Sequence, residues 1–318
     1  MLIDTHAHLN FSAFDKDRNE VIRRCLEENI WTINIGTNYE TSKKGVEISN
    51  KYKNGVFATV ALHPINLETG LVKRKIDEFE GKHFEEEFDF KKYKNLALGK
   101  NLDFRSAQIK GLAKPSTRAK LGAGLVPHRN EVSGAGAKKV VAIGEIGLDY
   151  YYKPKTKKKL ELFKEKQKDL FLKELNLAKE LNLPVILHCR MAHQDLIEVL
   201  NSNIQYPTSN IRGVMHGFVG NIEQLKKYLQ LGFYIGFNGI IFKKIEGINF
   251  EENIKKTPLE RILLETDCPY LTPPPFESER NEPLYLRYIV QKIAKIKKIT
   301  SKEITEITIK NTKELFKI

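Results

Sequence analysis

The chain has few cysteines and no long apolar run, and these shortages exclude several protein classes. Among 318 residues there are only three cysteines, Cys25, Cys189 and Cys268, which lie far apart and are odd in number. This set argues against a disulfide framework and favours a reducing compartment. No stretch reaches the roughly 20 apolar residues of a membrane helix, and strand-like residues begin at Leu2 without a charged leader. The sequence predicts a cytoplasmic protein with no membrane span.

Acidic residues are scarce relative to basic ones. Fifty-three lysines and arginines face 40 aspartates and glutamates, which gives a net charge of +13. Such a charge suits a polyanionic partner such as nucleic acid, although a lysine-rich composition alone produces the same excess. Hydrophobic residues make up 41% of the chain, enough for the core of one barrel-sized domain or two ordinary ones.

Short apolar segments alternate with helical patterns along most of the chain. The predicted strands are 2–9, 31–36, 56–62, 140–144, 184–187, 211–215, 233–237 and 259–264. Most connections are long enough for a crossover helix, and this alternation is typical of a parallel sheet. Eight such strands in a chain of this length favour an α/β fold, a single (β/α)8 TIM-type barrel over residues 1–318, rather than an open doubly wound sheet.

One connection is much longer than the others. The chain takes 77 residues to pass from His63 to Val140 (140 − 63), and within it residues 111–137 hold five Gly and five Ala but no Ile, Phe, Tyr or Trp. This composition is poor in core-forming side chains. We therefore expect 82–139 to be a surplus insertion before the fourth strand, probably loosely ordered in solution by composition. The alternative is a basic arm that binds nucleic acid.

Metal-ligand residue types recur at or near the ends of the predicted strands. His6 and His8 share one face of the first strand, because successive side chains on a strand alternate. The others are Glu145, His188, His216 and Asp267. In a barrel the carboxyl ends of all strands meet at one rim, so we expect these six residues to converge. Four imidazoles and two carboxylates exceed the needs of one tetrahedral ion and suit two divalent metal ions.

Several sequence blocks resemble the signature blocks of the TatD family of metal-dependent deoxyribonucleases, within the amidohydrolase-like superfamily. They are 3–10 (IDTHAHLN), 142–151 (AIGEIGLDYY), 184–190 (PVILHCR), 216–218 (HGF), 265–271 (ETDCPYL) and 280–283 (RNEP). Their order and spacing hold from Leu2 to the C-terminus except around 82–139. The resemblance implies a barrel hydrolase that cleaves phosphodiester bonds of DNA by a two-metal mechanism, as an exonuclease, with single-stranded DNA as the expected substrate.

The resemblance also implies a role for each candidate ligand. His6 and His8 would hold one ion and His188 and His216 the second, with Glu145 between them. Asp267 would bind metal and act as the base toward the attacking water. The imidazoles suit Zn or Mn better than Mg, which prefers oxygen ligands, although the resemblance allows activity with Mg.

Three further residues are candidates for substrate binding. His63, at the end of the third strand, resembles the family's His-Pro position, and a purely structural role is equally compatible with the pattern. Arg190 can grip two phosphate oxygens with its guanidinium group. Tyr151 precedes a run of lysines and could stack on a base, or could simply lie at a solvated helix start.

Two other functions stay open from the sequence. The first is another amidohydrolase-like hydrolase acting on esters or amides, many of which bridge their metals with a modified lysine where this chain has Glu145. The second is a nucleic-acid-binding protein without turnover, which the presence of all six ligands disfavours.

Overall fold

Eight parallel strands form the inner layer of the molecule. The computed structural model describes residues 1–72, 77–81, 85–100, 139–203 and 211–318. The strands are Leu2–Ala7 (β1), Ile30–Asn34 (β2), Val56–Val60 (β3), Val140–Asp149 (β4), Val185–Arg190 (β5), Gly213–Met215 (β6), Tyr234–Phe237 (β7) and Ile262–Leu264 (β8). Each pairs in parallel with the next in chain order. The predicted (β/α)8 barrel is confirmed.

Helices form the outer layer. They are Arg18–Glu27 (α1), Tyr39–Ser49 (α2), Phe90–Ala97 (α3), Lys157–Leu181 (α4), His193–Asn203 (α5), Ile222–Gln230 (α6), Phe250–Lys256 (α7), Leu286–Lys297 (α8) and Ser301–Phe316 (α9). In α8 the spacing of Leu286, Ile289, Val290 and Ile293 puts all four on the buried face. Among the described residues, no helix combines the length and apolar character needed to cross a membrane.

Backbone hydrogen bonds join the last strand segment to the first. The Asp267 N–H donates to the His6 carbonyl at 2.9 Å, and the His8 N–H donates to the Cys268 carbonyl at 2.9 Å. These bonds extend the ladder past the end of β8 and complete the ring. They also fix Asp267 beside the two histidines of β1, so closure of the barrel and assembly of the site depend on the same contacts.

The fourth strand extends beyond its predicted end. The sequence predicts β4 over 140–144, whereas the strand continues to Asp149 with an irregularity in its register around Glu145. Gly147 makes the extension possible, because it has φ of +142° and a Cβ there would lie 2.1 Å from the His188 carbonyl oxygen. The close approach of β4 to β5 places Glu145 next to the His188 side chain.

The predicted insertion is described only in part. Helix α3 lies inside 82–139, and its Tyr93 and Leu96 side chains are buried against the barrel. This portion therefore supplies an ordinary crossover helix between β3 and β4. Residues 101–138, which include the Gly- and Ala-rich stretch, lie outside the described residues, so the extent and looseness of the insertion stay a prediction.

Candidate metal centre

The structure brings five of the predicted ligands around one carboxylate at the C-terminal mouth of the barrel. Glu145 Oε1 lies 2.6 Å from His188 Nδ1 and 3.4 Å from His216 Nε2. Glu145 Oε2 lies 3.3 Å from His6 Nε2, which is in turn 3.2 Å from His8 Nε2. Side chains from β1, β4, β5 and the end of β6 thus share one buried cluster.

Asp267 completes the set of six. Its Oδ1 lies 3.4 Å from His8 Nε2 and 3.7 Å from His6 Nε2. Burial raises its pKa, but the hydrogen bond from His8 and the nearby imidazoles outweigh burial and leave the pKa below its usual value. Asp267 is therefore a carboxylate at neutral pH, available as a ligand or as a proton acceptor.

The spacing of these atoms fits divalent cations. Two ligand atoms about 2.0–2.1 Å from a shared tetrahedral ion lie about 3.3 Å apart, close to the observed separations between His6, His8 and Glu145. The same three residues, and separately Glu145 with His188 and His216, offer ligand atoms that all lie within 4.8 Å of one another. An unprotonated imidazole pair at 3.2 Å would repel, and a cation between the two nitrogens removes that repulsion.

The charge balance of the cluster also favours a cation. Burial raises the pKa of Glu145, but the positive charge of His216 and then His6 lowers it further, so its pKa lies well below the usual value. Burial lowers the pKa of His188, yet Glu145 and Asp149 together raise it to about 9. The carboxylates thus draw positive charge onto a buried imidazole, as expected of a site built to hold metal cations.

Sequence reasoning assigned no role to two carboxylates that fix the orientation of the ligand histidines. Glu265 Oε2 lies 2.6 Å from His216 Nδ1, and Asp149 Oδ2 lies 3.0 Å from His188 Nε2. The charges of Glu265 and Glu145 outweigh burial and raise the pKa of His216 to about 10. Carboxylates behind ligand histidines set the ring orientation and raise its basicity. The alternation along β4 was a usable signal, since positions 145, 147 and 149 share one face.

We expect Glu265→Gln to lower metal affinity or activity by about 10- to 100-fold. The Glu265 carboxylate accepts from the Gly217 N–H at 3.1 Å as well as facing His216, and an amide replaces one acceptor oxygen by a donor. Metal titration and steady-state kinetics measure the loss. Glu174→Gln is the matched control, because Glu174 is equally buried but accepts from the Leu62 N–H. Equal behaviour of the two variants would contradict the assigned role.

The three candidates for substrate binding also lie at this mouth. His63 Nε2 is 3.6 Å from Glu145 Oε1, and His63 Nδ1 accepts the Ile65 N–H at 3.0 Å. The neutral ring therefore carries its proton on Nε2, which makes His63 a hydrogen-bond donor toward the cluster. The Arg190 guanidinium lies 3.6 Å above the ring of Tyr151, which is 49% exposed.

Comparison with known proteins identifies the family. The family described as TatD related DNase matches residues 3–317, which is nearly the whole chain. The chain belongs to the TatD family. The resemblance inferred from the motif blocks is thereby confirmed.

Relatives and solved structures of the TatD family agree with this assignment. The uncharacterized metal-dependent hydrolase YabD of Bacillus subtilis is 33% identical over 100% of both chains. The 3'-5' ssDNA/RNA exonuclease TatD of Escherichia fergusonii is 34% identical over 70% of this chain and 87% of the relative. The crystal structure of the TatD homologue YJJV from Escherichia coli K12 matches with a TM-score of 0.72 at 25% identity, covering 100% and 98% of the two chains. The protein is a metal-dependent hydrolase of the TatD DNase family, as predicted.

Proposed function

We propose that this TatD protein is an exonuclease that hydrolyses single-stranded DNA with two divalent metal ions. The observation that carries the proposal is the position of the Glu145 carboxylate, within 3.4 Å of imidazole nitrogens from His6, His188 and His216. A carboxylate in the middle of such a set can serve two cations at once. The relative from Escherichia fergusonii, named as a single-strand exonuclease, supports the substrate class.

The residues divide naturally between two ions. His6, His8 and Asp267 would hold the first, His188 and His216 the second, and Glu145 would contribute an oxygen to each. Bound divalent cations lower the pKa of water toward neutrality and neutralise charge on phosphoryl oxygens. The four imidazoles favour Zn or Mn over Mg.

The side chains supply the remaining chemistry. Asp267, ionised at neutral pH, orients the attacking water and accepts its proton. His63 donates its Nε2 hydrogen to a phosphate oxygen, and Arg190 grips two oxygens of the adjacent phosphate. Tyr151 offers an exposed ring face on which a base of the strand can stack.

Removing the metal is expected to abolish hydrolysis and adding it back to restore it. The experiment combines elemental analysis of the purified protein with hydrolysis of end-labelled single strands of DNA and RNA before and after chelation. The expected result is two ions per chain and stepwise release of mononucleotides from one end. Small amides and lactones serve as control substrates.

Other outcomes assign the protein elsewhere. Hydrolysis of lactones or amides without cleavage of strands would move it to the wider amidohydrolase group. Strand binding that survives chelation, with no turnover by the metal-loaded protein, would make it a binding protein. A single ion per fully active chain would overturn the two-metal mechanism and leave the nuclease function standing.

A further inference from the structure

A second concave surface lies outside the barrel, between α7, α8 and the segment that follows β7. It encloses about 1090 Å³, more than the roughly 300–1,000 Å³ of ordinary small-molecule pockets. We call it the lysine groove, and its lining residues are 241–245, 248–251, 255, 274, 288, 291, 292, 295, 296 and 298. Its upper end meets the active-site rim, because Pro274 belongs to the loop that begins at Asp267.

Positive charge dominates this groove. Its lining contains six lysines and one glutamate, namely Lys243, Lys244, Lys255, Lys292, Lys295, Lys298 and Glu251. Glu251 pairs with Lys255 at 2.5 Å. Within the part of the chain that the structure describes, Lys243, Lys244 and Lys295 pair with no carboxylate and are exposed. Unpaired like charges side by side repel one another, and a polyanion in the groove relieves that repulsion.

The floor of the groove is apolar and partly aromatic. Phe242, Ile245 and Tyr288 line it. Tyr288 in turn lies 5.4 Å from the ring of Phe276, which stacks on Tyr285 with centroids 4.9 Å apart and planes at 9°. Phe276 lies on the loop that follows Asp267. A row of aromatic rings therefore connects the loop at the catalytic mouth to the lysine groove.

We propose that the lysine groove binds the single-stranded nucleic acid beyond the catalytic mouth. Lysines along a groove with aromatic faces are the usual means of holding a single strand, since the lysines attract phosphates and the rings stack on bases. An acidic peptide would use the lysines but not the aromatic row, so the strand fits the surface better. The proposal takes its substrate class from the proposed function, but strand binding in the groove does not require hydrolysis.

The test compares two triple charge reversals. One variant carries Lys243→Glu, Lys244→Glu and Lys295→Glu. The control carries Lys179→Glu, Lys227→Glu and Lys310→Glu, three exposed lysines on α4, α6 and α9 outside the groove. Both are placed in the metal-loaded Asp267→Asn protein, so that the strand stays intact. Fluorescence anisotropy then measures binding of labelled oligothymidylates of about 20 and about 4 nucleotides, lengths above and below typical single-strand site sizes.

We expect the groove variant to weaken binding of the long strand by at least about tenfold and to reduce the salt dependence by about 0.7 per lost phosphate contact. The loss for the short strand should be several times smaller, and the control variant should bind both strands as the parent does. Tyr288→Ala should weaken long-strand binding about fivefold or more, and Tyr288→Phe should restore it.

Equal long-strand binding by the two triple variants would overturn the proposal. Loss of polyglutamate binding in the groove variant with strand binding intact would also overturn it and assign the groove to an acidic protein. Because binding is read without turnover, a protein that lacks nuclease activity but shows the expected losses would contradict the proposed function and leave this inference standing.

Discussion

Glu145→Ala is expected to lower kcat/KM on single-stranded DNA by about 10³-fold or more, since metal ions contribute several kcal/mol to such a reaction. The Glu145 carboxylate faces imidazole nitrogens of four histidines at 2.6 to 3.6 Å. Without it these rings surround a site that lacks its central anion, and the affinity for both cations falls. Glu145→Gln keeps the volume and loses the charge, so we expect a loss of similar size.

The fold is expected to survive both substitutions. Glu145 makes its contacts with other site residues, whereas the barrel is held by the strand ladder and its apolar core. Circular dichroism should be unchanged and the melting temperature should stay within about 5 °C of the parent. Near-parental hydrolysis by the metal-loaded Glu145→Ala protein would overturn the site assignment.

The barrel and the convergence of its ligands could be predicted because both follow from repetition. An apolar strand, a crossover and another strand recur eight times, and parallel strands in a barrel share one rim. The local boundaries were less predictable. The sequence places β8 over 259–264, but Leu259–Arg261 forms a 3-10 turn and the strand begins at Ile262. Apolar character alone does not separate a tight turn from the strand that it leads into.

The supporting contacts of the site could not be predicted from spacing. Asp4 accepts from the Thr266 N–H at 2.9 Å and from the Thr266 hydroxyl at 2.5 Å. These partners are 262 residues apart in the chain, and only the closed barrel brings them together. The same holds for Glu265 behind His216. A motif block identifies which residues occur together, whereas the hydrogen bonds that orient them depend on strand register.

The proton on His63 illustrates the same limit. Sequence placed His63 at the end of β3 but could not tell a ligand from a donor. The Ile65 N–H, which occupies His63 Nδ1, decides the matter because it leaves the proton on Nε2. A turn two residues long therefore determines what this side chain offers to a substrate.

Asp267→Asn is expected to lower kcat by about 10²- to 10⁴-fold, the range typical of losing a positioned general base, while the protein still binds metal through the asparagine oxygen and the histidines. The amide cannot accept the proton of the attacking water, so the remaining rate should rise with pH as hydroxide replaces the base. Kinetics from pH 6 to 9, an interval of about three units over which hydroxide changes about 10³-fold, with metal analysis of each sample, measure both effects.

The same change at Asp149 provides the control for Asp267→Asn. Asp149 Oδ2 contacts His188 at 3.0 Å from the side opposite Glu145, so it orients a ligand without facing the reaction. We expect Asp149→Asn to cost only about 10- to 100-fold, with the pH dependence of the parent. Loss of metal from the Asp267→Asn protein would assign Asp267 to metal binding alone. Equal losses with equal pH profiles in the two variants would contradict its role as the base, because an orienting carboxylate and a proton acceptor must respond differently to hydroxide.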